Sequence, residues 1–160
     1  GMTVMSYGGE RGISAKEAAT LFRDGAGDVL VGTAANYAEG TDLPAQVAPV
    51  IFFLKPGYPP GWDPQLQFER QRYGRGAWAL QTWRLMLKAL QVRGRNVRSA
   101  QDLGVCIFLD GRFRFFLQNS LPDWLKPSYR RGLTMDQCVE DALQLLSPPA
   151  DDEMPVVASG

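Results

Sequence analysis

Apolar positions along this chain follow two rhythms, and the change from one to the other predicts the elements. Ser14-Ala15-Lys16-Glu17 reads as a capping box, in which Ser14 and Glu17 satisfy each other's backbone donors. Ala18, Leu21 and Phe22 then recur at helical spacing to Asp24, and Gly25 stops the helix. Asp28 to Thr33 and Val47 to Leu54 read as strands. The second is so continuously apolar, from Val50 through Ile51, Phe52 and Phe53 to Leu54, that both its faces are expected to be covered. Between them, Gly32 to Pro44 is polar and small, a loop with a turn of helix around Ala34 to Ala38.

Pro56 to Pro64 must be a loop, because its prolines fix φ and remove donors while Gly57 and Gly61 loosen what lies between. In Gln65 to Tyr73, Leu66, Phe68, Arg70 and Arg72 alternate with Gln65, Gln67, Glu69 and Gln71; this suits a half-exposed strand, with helix as the alternative. From Ala77 to Arg93 the period becomes helical. Leu80, Trp83, Leu87 and Leu90 share one face, Gln81, Arg84, Lys88 and Gln91 another, and Gly94 reads as the stop. Val105 to Leu109 and Arg112 to Gln118 flank Asp110-Gly111, a hairpin signal because both residues accept the positive φ of a type I′ turn. That register pairs Phe108 with Phe113 and Cys106 with Phe115. A second capping box at Thr134 and Gln137 opens a last helix whose buried stripe is Met135, Cys138, Val139, Ala142 and Leu146.

The order is therefore α-β-β-(β)-α-β-β-α. It predicts an α+β fold built on one mainly antiparallel sheet with about three helices. Residues 2–147 are expected to form a single domain and 148–160 a disordered acidic tail, since the tail is small, acidic and Pro-containing.

Composition removes several chemistries. Histidine is absent, which excludes His-based acid–base catalysis, His-containing triads and nearly all zinc and copper sites. No cofactor or metal is expected. The two cysteines, Cys106 and Cys138, read as buried thiols. No apolar run is long enough to span a bilayer and no signal-peptide pattern opens the chain, so a cytoplasmic location without membrane attachment is expected.

Charge adds the most. The chain is neutral overall, yet residues 1–69 carry 4 Lys/Arg against 8 Asp/Glu, residues 70–131 carry 13 against 3, and residues 132–160 carry none against 6. A basic block of this density must be answered inside or outside the molecule. Tyr73-Gly74-Arg75-Gly76, leading into the main helix, is the sharpest anion candidate. A helix N-terminus offers unpaired N–H groups, the glycines permit close approach and Arg75 adds charge. The spacing is neither a P-loop nor a dinucleotide fingerprint, and a strand-to-helix turn is the plainer reading. Around it, Arg70, Arg72, Arg84, Arg93, Arg95, Arg98, Arg112 and Arg114 are interleaved with Tyr73, Trp78, Trp83, Phe115 and Phe116, a pairing suited to phosphate backbones and bases. Pairing with the acidic flanks is the competing reading. Tyr58, Trp62, Trp124 and Tyr129 fall in loops and are candidate partner contacts.

No nucleophile has a base beside it, and a carboxylate pair such as Glu69 with Asp102 would need the fold to assemble it. The function expected from the sequence is a non-enzymatic binding or assembly protein, whose Arg/aromatic surface meets an acidic protein partner or a second copy in a homodimer. One alternative is an anionic-ligand or nucleic-acid binder that uses Arg70, Arg72, Tyr73, Gly74, Arg75, Gly76, Arg84, Arg112 and Arg114. Another is an enzyme acting on an anionic small molecule without histidine.

Overall fold

The computed structural model describes residues 1–8, 12–37, 43–97, 99 and 102–147, except the side chains of residues 115, 116, 118 and 119. Arg98, the side chains of Phe115 and Phe116, and the segment 148–160 expected to be a tail lie outside the described residues.

A short strand, β1 (Val4–Ser6), opens the structure and pairs in parallel with β2 (Val29–Val31), Val4 lying opposite Val29 and Ser6 opposite Val31. Between them runs α1 (Ala15–Arg23), started by Ser14, whose hydroxyl accepts the Glu17 N–H at 3.1 Å. Gly25 follows it at φ +83°, a left-handed conformation that only glycine adopts without strain. The expected turn of helix is α2 (Ala34–Tyr37). Next come β3 (Val50–Phe53), α3 (Pro64–Tyr73), α4 (Gly76–Asn96) and β4 (Val105–Phe108), and β3 and β4 pair in parallel, Val50 opposite Val105 and Phe53 opposite Phe108. The chain continues through α5 (Phe113–Ser120), a 3-10 turn (Lys126–Ser128) and α6 (Met135–Leu146).

The expected mainly antiparallel sheet with about three helices is therefore overturned. The described residues hold two small parallel pairs and more helices than expected. Two segments account for most of the difference. Asp110-Gly111 closes no hairpin: the Asp110 carboxylate accepts the Arg112 backbone N–H at 2.8 Å and the Asp110 carbonyl accepts the Phe113 N–H at 3.0 Å, so the chain winds into α5. Gly111 does not take the positive φ that a type I′ turn requires. With residues 113–120 helical, β4 takes its partner from β3, and parallel neighbours need a long crossover, which α3 and α4 supply.

The second misreading is Gln65 to Tyr73. Asp63 caps this segment by accepting the Leu66 N–H at 2.9 Å, and Pro64 occupies the first turn, where its missing donor is harmless. Only Leu66 and Glu69 of α3 are buried, three residues apart on one helical face, so its apolar content was too thin to show a period. The strand expectation for β3 holds, but Phe52 is 49% exposed, so its two faces are not both covered.

Helix α4 runs through Gly94 to Asn96. Its buried face is Ala77, Gln81, Leu85, Met86, Ala89 and Asn96, while Trp83, expected inward, is 52% exposed. In α6 the Thr134–Gln137 capping box forms as expected, but of its stripe only Ala142 is buried, and Met135 and Val139 are exposed.

The core lies where α4 and α5 cover the β3–β4 pair. Leu85, Met86, Phe113, Leu117, Leu121 and Leu125 are buried together, with Phe53, Tyr58, Leu90, Phe108 and Tyr129 packed against them. Phe53 stacks on Phe108 at 4.7 Å and 10°, continuing the strand pairing into the side chains. Among the described residues, no helix is long and apolar enough to cross a membrane.

Both cysteines are free thiols and partly buried. Burial pushes the Cys106 thiol on β4 up to about 11, with Arg93 opposing it, so at neutral pH it stays protonated and a poor nucleophile. Native protein treated with iodoacetamide at pH 7.5 and mapped by mass spectrometry is expected to leave Cys106 unmodified until denaturant is added. Alkylation of Cys106 in native protein as fast as a free peptide thiol would contradict this.

Candidate functional site

Helices α3 and α4 meet at a tight turn. Gly74 ends α3 at φ +53°, and its N–H donates to the Arg70 carbonyl at 2.9 Å. Only glycine takes this backbone without strain, so the reversal from α3 into α4 depends on it. Arg75 occupies the cap position of α4. No side chain caps the helix there and its first turn contains no acidic residue, so among the described residues the Arg75 cation and the positive end of the helix dipole add.

The two helices are clamped by a buried carboxylate. Glu69, only 3% exposed, accepts from Gln65 within α3 and from Gln81 and Arg84 across on α4. The Arg84 guanidinium beside it holds the Glu69 carboxyl below the usual carboxylate range against the opposing effect of burial. Arg84, counted among the ligand-binding candidates, is therefore engaged internally. The speculative pair of Glu69 with Asp102 is not assembled: Asp102 accepts from the Ser99 backbone instead.

On the solvent side of this clamp lies an open cleft of about 170 Å³, lined among others by Tyr58, Arg70, Gly74, Arg75, Trp78 and Gln81. Tyr58, from the loop after β3, stacks on Trp78 at 4.9 Å and 13°. Leu66 and Glu69 face inward on α3, which turns Arg70 outward, and the turn at Gly74 brings Arg75 to the same opening. Arg70, Arg72 and Arg75 are all exposed and form no ion pair among the described residues. Tyr73, 55% exposed, and Gly76 flank them on the same turn.

The other candidates are placed elsewhere. Arg112 follows β4 and grips its neighbour Asp110 through two nitrogens, at 2.9 and 2.6 Å, which holds the Asp110 carboxyl down to about 2. Asp110, and more weakly Tyr58, in turn raise the Arg112 guanidinium. Arg114 is exposed on α5 and already engaged. Of the aromatic contact candidates, Trp62 is 75% exposed, Trp124 lies under the Arg93 guanidinium at 5.9 Å, and Tyr129 packs against the core with Tyr58. A larger cleft of about 300 Å³ is lined by Leu117, Leu121, Lys126, Tyr129 and Arg131. Neither cleft is lined by a carboxylate, and no group of side chains among the described residues suits a metal ion.

Sequence reasoning placed Arg70, Gly74 and Arg75 in the candidate site and named Trp78 only among the aromatics interleaved with the arginines, and it missed Gln81 as part of the cleft. Trp78 carried a signal: a tryptophan just inside an arginine-led helix start, one residue past the buried Ala77. Gln81 carried none, since a glutamine on a polar face gives no hint of a buried carboxylate partner.

No curated protein matches the chain. A family model described as "Helicase C-terminal domain" does match it, over residues 6–128, a span that includes the β3–β4 pair, the α3–α4 turn and the cleft. That relationship is to a nucleic-acid-related domain, and it agrees with the nucleic-acid alternative better than with the non-enzymatic assembly reading. With most of its length matched, the chain belongs to the helicase C-terminal domain family.

Proposed function

We propose that this chain is a nucleic-acid-gripping domain of a helicase-type protein and that the α3–α4 turn is where it holds the phosphate backbone. One observation supports the reading above the rest: Arg70 and Arg75, without acidic partners among the described residues, share a cleft with a stacked tyrosine and tryptophan in a chain of this family. Arginine pairs with phosphate oxygens through a planar fork, and aromatic faces accept bases, so the combination suits a nucleic-acid strand. The neutral net charge is no obstacle, because acidic residues concentrate outside 70–131 in the sequence and the Glu69 carboxylate beside the turn is paired with Arg84. The chain contains no Gly-x-x-x-x-Gly-Lys-Ser/Thr loop, so the proposal gives it the grip on the strand and assigns it no catalytic residue.

A fluorescein-labelled single-stranded 20-mer, titrated by anisotropy from 20 to 300 mM salt, tests this. Contacts from Arg70 and Arg75 predict a slope of log affinity against log salt of about −1.4, from roughly −0.7 per phosphate on single strands. Absence of binding at the lowest salt would refute the proposal.

A further inference from the structure

We infer that Trp78, backed by Tyr58, is a stacking platform for one unpaired nucleobase, which makes the α3–α4 cleft a site for single strands rather than for phosphate alone. The inference rests on the nucleic-acid reading above and adds to it the part of the ligand that is recognised. Tyr58 is half-buried and packs against the core, so it is a fixed support. Trp78 lies nearly parallel on it, yet is 60% exposed. What sets Trp78 apart from the other exposed tryptophans, Trp62, Trp83 and Trp124, is that its ring is backed by a stacked tyrosine and lines a cleft with two arginines, which leaves its outer face open to a base. A base laid on it would extend the stack by one ring.

The geometry around the platform matches a nucleotide unit. Arg70 and Arg75 line the same cleft, so a base on Trp78 places its flanking phosphate toward free guanidinium groups. Gln81 is in the same lining, but its amide donates to Glu69, which leaves Trp78 and the arginines as the groups facing the ligand. Stacking with little hydrogen-bond readout accepts any base, as a protein that moves along a strand requires. Size favours a strand over an enclosed mononucleotide. At about 170 Å³ and open to solvent, the cleft falls below the roughly 300–1,000 Å³ of pockets that enclose small molecules. A chain passing across it needs only one base seated.

The test compares two strands of equal length and charge, oligo-dT and a fully abasic deoxyribose-phosphate strand, by anisotropy at fixed salt. Wild-type protein is expected to bind oligo-dT roughly 5- to 100-fold more tightly, the range for one stacked base. Trp78→Ala is expected to erase that preference while leaving affinity for the abasic strand and the salt slope unchanged. Trp78→Phe, which keeps a ring, is expected to retain most of it. Because Trp78 is largely exposed, both variants should fold, and circular dichroism verifies that they do. Equal wild-type affinity for the two strands would overturn the stacking inference while leaving the phosphate grip intact, and so would a preference that survives in Trp78→Ala. Failure to bind either strand would overturn the nucleic-acid reading itself, and the inference with it.

Discussion

Reversing both free charges of the cleft, Arg70→Glu with Arg75→Glu, is expected to weaken single-strand binding on the order of 50-fold at 50 mM salt and to flatten the salt slope by about 1.4. Each arginine that neutralises a phosphate releases condensed counterions, so removing two such contacts subtracts about 0.7 each from the slope. Net charge alone is separated from position by a matched control on α1, Lys16→Glu with Arg23→Glu, which changes the total charge equally but lies outside the cleft. That control should weaken binding no more than a few-fold, because exposed charges that do not touch the ligand are screened by salt. Arg70 and Arg75 are exposed and form no ion pair among the described residues, so thermal stability should barely change. Equal losses in the two double variants would show that binding follows overall charge, and the α3–α4 turn would lose its assignment.

The second large effect is expected in stability. Glu69→Ala removes the shared acceptor of Gln65, Gln81 and Arg84, leaving Gln81 buried without its partner and Arg84 half-buried without its counter-charge. Breaking one side of a buried pair costs far more than the pair contributes, and a fall in thermal midpoint of roughly 5–10 °C is expected. Glu69→Gln keeps much of the hydrogen-bond geometry and should fall less. The same residue sets a pH dependence. Arg84 depresses the Glu69 carboxyl in the folded protein, so the folded state gives up this proton at lower pH than the unfolded chain does. The contribution is complete above the ordinary value of 4.5 and is lost as pH falls through the depressed folded value. Urea midpoints should therefore separate wild type from Glu69→Gln at pH 7 and converge only once the pH has fallen below the depressed folded value. A gap that persists unchanged in acid would show that the carboxylate charge is not what clamps α3 to α4.

The clamp links these two predictions. Glu69 holds α3 against α4, and the turn that joins them sets how far Arg70 stands from Arg75 and Trp78. A Glu69 variant is therefore expected to weaken strand binding through geometry even though Glu69 does not line the cleft.

Local chemistry was legible wherever it is decided by neighbours in sequence. Ser14 with Glu17 and Thr134 with Gln137 marked two helix starts correctly, the apolar run around Val50 marked β3, and the prolines from Pro56 to Pro60 marked a loop, although Pro64, expected in that loop, opens α3. Asp63-Pro64 and Gly74 also bracketed α3 in plain terms, and the alternation of Leu66 with Phe68 drew the reading away from them.

The sequence by itself determined where most helices and strands begin, that histidine chemistry is absent, and that the basic charge is gathered between residues 70 and 131. Tertiary structure decided how those elements are used. Strands of three or four residues carry too little pattern to specify a partner, so parallel pairing emerged only when α1, and then α3 with α4, closed the crossovers. Which arginines are free was likewise a three-dimensional matter. Arg84 found Glu69 fifteen positions away and Arg112 found Asp110 beside it, while Arg70 and Arg75 were left facing solvent on either side of Gly74. Charge along a chain is a sum, but a binding site is made from what remains after the fold has paired its own, and only packing determines that remainder.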